Sequence, residues 1–195
     1  MEFEKLDIDG AWIIRSPVFK DERGKLREYF RYHDSHKKTG LIFDVVQSMY
    51  SESKKGVIRG IHYSLSPNGQ WKVITCISGA IFDVIVDIRI DSPTFGKVQT
   101  VELTSENGLS VLMQANLGHA FQAMSEIAIV SYNLNMEYHS DLESGINPLD
   151  SLLDIQWPVS PKIFSQKDRI APGLMESKKF GKLPGDKSIS RRHAE

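Results

Sequence analysis

Three ionisable side chains stand where strand-forming aliphatics dominate: Arg59 and His62 in the run Gly56-Val57-Ile58-Arg59-Gly60-Ile61-His62-Tyr63, and Lys72 nine residues beyond it. Removing such a group from water costs several kcal/mol unless it is paired or used. A second histidine, His119, sits in Leu117-Gly118-His119-Ala120-Phe121-Gln122. The strand-like Ile127-Ala128-Ile129-Val130-Ser131-Tyr132 ends on a phenol, and Ser165-Gln166-Lys167-Asp168 supplies an acid after the Trp157-Pro158 break. A metal centre fits this set poorly, because Tyr63 and Ser64 follow His62 and no second His or nearby Glu stands at ligand spacing. His33 and His36 fall in a polar segment and read as surface residues. Serine nucleophile chemistry lacks its Gly-x-Ser-x-Gly elbow. What remains is proton transfer with stabilisation of an anion: a His oriented by a carboxylate as base, a Lys or Arg holding an enolate oxygen, and a Tyr returning a proton. That combination inverts a carbon next to a carbonyl.

These groups need a scaffold of strands. From about Phe43 to Tyr138 the chain repeats short runs of Val, Ile, Phe and Tyr, broken by turn signals at Ser66-Pro67-Asn68-Gly69, Ser78-Gly79, Asp91-Ser92-Pro93 and Glu106-Asn107-Gly108. The pattern predicts an all-β sandwich, jelly roll or barrel, since long amphipathic helical stretches are missing. Short helices are expected around Tyr29 to Lys37, around Ser151 to Asp154, and after Arg169. One domain is expected over 1–185, followed by a frayed polar tail, 186–195.

The Ser78-Gly79 pair reads as a two-residue hairpin turn. Pairing across it would set Lys72 diagonal to Asp83, on a face shared with Ile74, Cys76, Ile81, Ile85 and Asp87. The opposite face, from Val73 to Ile88, is almost purely apolar. The mixed face is either the wall of a semi-enclosed cavity, in which Asp83 keeps Lys72 charged, or a half-exposed surface with a solvated ion pair. Arg59 and His62 are three apart, which sends them to opposite faces of a regular strand, and Gly60 is the natural site of a bulge that re-aims one of them.

Composition narrows the function classes. The 195 residues carry 24 basic and 25 acidic side chains, for a net charge of -1. No Lys/Arg block is dense enough to track a phosphate backbone, so nucleic acid is not an expected partner. No apolar stretch reaches membrane-span or signal-peptide length, and one cysteine, Cys76, forbids an internal disulfide; a cytoplasmic protein without membrane association is expected. Cys76 reads as a small buried hydrophobe.

The chain resembles the dTDP-4-dehydrorhamnose 3,5-epimerase family over about Phe19 to Asp168. The resemblance rests on Val18-Phe19-Lys20-Asp21-Glu22-Arg23-Gly24 with Glu28, on Gly56 to Tyr63, on Phe82-Asp83-Val84 running on to Ser92-Pro93-Thr94-Phe95-Gly96, on Gly118-His119-Ala120-Phe121, and on Ser165 to Asp168. It implies a cupin-type double-stranded β-helix, a homodimer, and epimerisation of a dTDP-4-keto-6-deoxyhexose at C5, C3 or both without metal or organic cofactor. It further implies His62 as base with Asp168 as its orienting acid, Tyr132 as opposing proton donor, and Lys72 at the enolate oxygen. Arg59 and His119 would contact the diphosphate and sugar. Phe19, Arg23 and Glu28 match positions that hold the nucleotide, partly across the dimer interface, while Gln47, Tyr138 and Glu143 match further substrate contacts. Where the double epimerases commonly read Gln-Asp-Asn, this chain has Gln47-Ser48-Met49. The stretches from Arg59 to Gly69 and from Gly145 to Asp150 look closer to relatives that invert a single carbon. A non-catalytic sugar-nucleotide-binding jelly roll and a 3,4-ketoisomerase of the same architecture are the rival readings.

Overall fold

Period-two alternation of apolar residues builds strands with two distinct faces, and here both faces of the central strands are covered. The computed structural model describes residues 1–66, 69–160 and 162–185, so the expected tail 186–195 lies outside the described residues, as do Pro67 and Asn68 of one expected turn. Along the chain run β1 (Glu2–Lys5), β2 (Ala11–Arg15), β3 (Val18–Asp21), β4 (Gly24–Arg27), α1 (Tyr32–Thr39), β5 (Gln47–Lys54), β6 (Ile58–Ser64), β7 (Lys72–Ser78) and β8 (Ala80–Asp87). They continue with β9 (Val98–Thr104), β10 (Leu109–Met113), β11 (Leu117–Ala123), β12 (Ile127–Leu134), β13 (Glu143–Gly145), α2 (Gln166–Arg169) and α3 (Leu174–Lys179). A six-stranded sheet of order β1-β2-β10-β7-β12-β5 faces a five-stranded sheet of order β13-β6-β11-β8-β9, and β3 pairs with β4 in a separate ribbon. All the ladders are antiparallel, and the two large sheets form the expected jelly roll.

The core between the sheets takes Ile74 and Cys76 from β7 together with Ile81 and Ile85 from β8 and Phe121 from β11. Outside the six-stranded sheet, Val73 and Leu112 pack with Trp12, Leu41 and Phe43. Outside the five-stranded sheet, Val84, Val86 and Ala120 pack with Leu153 and Trp157. Cys76 is a free, buried thiol, as expected, and burial pushes its pKa up to about 11.

Ser78-Gly79 is not a hairpin turn. β7 and β8 belong to opposite sheets, and the turn carries the chain from one to the other. Each strand already has a neighbour on both sides, β10 and β12 for β7, β11 and β9 for β8, which leaves no edge for the other. Gly79, at φ +77°, is wedged against Ser125 and Ile127, where a Cβ would lie 2.1 Å from the Ser125 hydroxyl. The expected face partition survives in altered form: the residues grouped with Lys72 do point inward, but from two facing sheets.

Helix α1 falls where a helix is expected, and α3 fills the stretch after Arg169. Ser151 to Asp154 forms turns instead of a helix. There the Asp150 side chain accepts the Leu152 and Leu174 amides, at 2.9 and 2.5 Å, its carbonyl accepts the Leu153 and Asp154 amides, both at 3.2 Å, and Asp154 at φ +44° ends the turn before a helix can extend. In the Ser92 to Gly96 block, the Asp87 carboxylate accepts from Arg89, Ser92 and Thr94 and fixes the turn that follows β8.

Candidate active site

Between the sheets opens a cavity of about 550 Å³. His62, Asp168, Lys72 and Tyr132 all line it, although Asp168 lies more than a hundred positions from His62 in sequence, at a separation of 106. Of the expected substrate contacts, Arg59, His119, Tyr138 and Glu143 line it as well.

His62 and Arg59 share the cavity because β6 is bulged. Between the β6–β11 pairs His119↔His62 and Phe121↔Arg59, β6 spends one residue more than its partner. Gly60 makes this possible at φ +119°, in a gap where a Cβ would stand 2.4 Å from the His119 carbonyl. Only glycine fits that conformation and that space.

His62 Nε2 lies 2.7 Å from Asp168 Oδ1. The carboxylate is delivered by a folded-back segment: the Ile58 amide donates to the Ile163 carbonyl at 2.6 Å, and Ser165 caps α2 by accepting from the Asp168 amide at 3.1 Å. Burial raises the Asp168 pKa, but the bonds from His62, Ser165 and the Gly60 backbone outweigh it and hold the group below the ordinary carboxylate range. An ionised Asp168 favours the tautomer with hydrogen on Nε2, which puts the lone pair of the ring on Nδ1.

His119 Nε2 lies 2.8 Å from Asp83 Oδ2, with both residues buried. Asp83 stands opposite Phe121 on β11, so the diagonal neighbour it finds is His119. The expected Lys72–Asp83 pair does not form, since the two residues occupy different sheets. Lys72 lies between Met113 and Leu134 in the six-stranded sheet. Burial lowers its pKa, and the Glu143 carboxylate opposes that effect.

Tyr132 opposes Ile74 in the same sheet, diagonal to Lys72, and stands beside Met49 of the edge strand β5. Its hydroxyl lies 3.1 Å from Ser51 Oγ, and burial pushes its pKa up to about 12. The phenol is therefore a proton-bearing group at neutral pH. Its ring meets His119 edge-on, at 6.4 Å between centroids. Arg59 donates from Nε to Ser53 at 3.0 Å and from its terminal nitrogen to the Glu52 carbonyl at 3.1 Å, which ties the guanidinium to β5.

Gln47 does not line the cavity; its Oε1 accepts from the Tyr138 amide at 2.7 Å and so fixes a residue that does. Phe19, Arg23 and Glu28 stand away from it, on or beside the β3–β4 ribbon. Phe19 is 59% exposed, while Arg23 pairs with Asp21 and Glu28 with Arg31. Sequence reasoning missed Gln70 and Ser51, polar residues of the cavity wall. Ser51 and Ser53 carry a faint signal, alternating hydroxyls on one face of a strand; Gln70 is marked only by lying two residues before Lys72. Among the described residues no group of three or more His, Cys, Asp or Glu side chains is arranged to hold a metal ion, and no helix is long and apolar enough to cross a membrane.

An antiparallel jelly roll with proton-transfer groups on both walls of its cavity defines the class: an acid–base isomerase of the cupin type. The chain belongs to the dTDP-4-dehydrorhamnose 3,5-epimerase family, whose model matches residues 5–176. A Streptomyces griseus dTDP-4-dehydrorhamnose 3,5-epimerase is 39% identical over 92% of this chain and 90% of the relative. NovW, a 4-keto-6-deoxy sugar epimerase from Streptomyces spheroides, superposes with a TM-score of 0.94 at 34% identity, covering 96% of this chain and 94% of its own. ChmJ, a 3'-monoepimerase from Streptomyces bikiniensis solved with dTDP-quinovose, gives 0.91 at 36% identity over 95% and 94% of the two chains.

Proposed function

We propose that this protein epimerises a dTDP-4-keto-6-deoxyhexose at C3, C5 or both. The observation that carries the reading is that His62 and Tyr132 line one cavity from opposite sheets. A proton taken from one face of a carbon and returned on the other inverts it. His62 Nδ1 breaks the C–H bond next to the C4 ketone, and Asp168 stabilises the imidazolium that forms. The electron pair moves onto the ketone oxygen, where the Lys72 ammonium holds the enolate. Tyr132 donates its proton from the far wall and re-forms the C–H bond. His62, 39% exposed, then loses its proton to water, and the phenolate regains one. Arg59 and His119 contact the diphosphate and sugar, and Tyr138 and Glu143 close the pocket around the hexose.

The same reading gives roles to the residues outside the cavity. In a homodimer, Phe19, Arg23 and Glu28 of the exposed β3–β4 region hold the nucleotide bound to a second copy. The relative ChmJ, which was solved with dTDP-quinovose, supports a dTDP-sugar as ligand. The same reading takes the protein to be cytoplasmic.

Incubation of dTDP-4-keto-6-deoxyglucose in deuterated water tests the proposal. Deuterium enters C3, C5 or both; His62→Ala abolishes incorporation, and Tyr132→Phe slows turnover or permits washout without inversion. Tight dTDP binding by the intact protein with no exchange would overturn the reading in favour of a binding module. A carbonyl moved to C3, seen by carbon NMR, would identify a ketoisomerase.

A further inference from the structure

We propose that Gln70 is a specificity residue that, together with Glu143, reads one ring hydroxyl of the hexose. The inference rests on the sugar-nucleotide reading above. Gln70 is only 6% exposed, lines the cavity, and its Nε2 finds no hydrogen-bond partner among the described residues. Glu143 lines the same cavity, and its Oε1 is buried and equally without a partner. A buried polar atom left unpaired costs about 1–3 kcal/mol, so two in one cavity mark a place where a ligand completes the bonding.

The backbones around both residues are held. Glu143 opposes Ser64 in the β13–β6 ladder. Gly69 donates to the Ser66 carbonyl at 2.8 Å and the Trp71 amide to Asn135 at 2.7 Å, on either side of Gln70. Both side chains share that cavity with Lys72, which is two residues from Gln70 in sequence and feels the Glu143 charge. Their chemistry selects the ligand group. Gln70 offers a donor and Glu143 an acceptor, and a hydroxyl satisfies both at one atom. A ketone cannot donate to Glu143, and a phosphate is repelled by it. The pair therefore addresses the sugar, and the nucleotide is bound elsewhere.

The test uses calorimetric titration of the full chain with dTDP, dTDP-quinovose, and analogues lacking the hexose 2- or 3-hydroxyl. The parent prefers dTDP-quinovose to one of the deoxy analogues by roughly tenfold, the scale of one hydrogen bond. Gln70→Leu brings that ratio close to one and leaves dTDP affinity unchanged. Because the variant removes an unpaired amide, its Tm stays level or rises. Gln70→Met repeats the measurement in a second background. Ratios that stay at the parent value for both analogues, or variants that lose Tm and dTDP affinity together, would overturn the subsite. If the parent also fails to exchange deuterium, the epimerase reading is what has failed; if exchange persists, only the subsite has.

Discussion

His62 and His119 stand directly opposite each other across the β6–β11 ladder, and each imidazole turns its Nε2 toward its own aspartate, Asp168 at 2.7 Å and Asp83 at 2.8 Å. The pairs look alike but sit in different surroundings. The His62 side chain is 39% exposed at the cavity, whereas that of His119 is 6% exposed and its Asp83 fully buried. One pair opens onto the cavity. The other is a buried support beside the Tyr132 ring.

Asp168→Asn should cost roughly 10²- to 10⁴-fold in kcat, the usual worth of an acid–base group, because His62 loses both its tautomer and its counter-charge. Stability carries a second signature. The folded pKa of Asp168 lies below its unfolded value of 3.8, so its contribution is complete above that value and is lost as pH falls through the lower folded one. Urea midpoints of parent and variant should thus differ at neutral pH and converge in acid; a gap that is constant down to the lowest pH contradicts the argument.

Ser51→Ala should lower kcat by a few-fold with little change in KM. The lost bond to the Tyr132 hydroxyl, on the order of 1 kcal/mol, positions the donor and does not hold the substrate. Steady-state kinetics with product NMR would detect washout rising relative to inversion. An equal effect on KM would instead make Ser51 a binding residue.

Asp83→Ala leaves the buried His119 ring without its partner, at a cost of about 1–3 kcal/mol. Chemical denaturation should report a lower midpoint at unchanged slope. Lys72 should be little affected, since it occupies the facing sheet; a Lys72-dependent loss of stability would revive a direct pairing of the two.

Gly60→Ala should damage fold and catalysis together. The conformation at φ +119° costs a non-glycine residue on the order of 1–3 kcal/mol, and the added Cβ collides with the His119 backbone. The expected result is a Tm lower by several degrees and loss of deuterium exchange, as Arg59 and His62 no longer share a face. Full activity at the parent Tm would mean that the bulge tolerates a side chain.

The sequence by itself determined what is local. Alternation along Val73 to Ile77 and Ile81 to Val86 specifies strands and separates their two faces, because the side-chain period is a property of the backbone. Gly60 between Arg59 and His62 announces its bulge for the same reason, and the blocks around His62, His119 and Asp168 carry the family resemblance. Only the tertiary structure decided which strands pair. Ser78-Gly79 looks the same whether it closes a hairpin or passes the chain between sheets; the choice fell to β10 and β12, which occupy the edges of β7, and to β9 and β11, which occupy those of β8. That choice gave Asp83 to His119 and left Lys72 diagonal to Tyr132. The approach of Asp168 to His62, like the two unpaired atoms of Gln70 and Glu143, depends on contacts between distant segments, which no local pattern encodes.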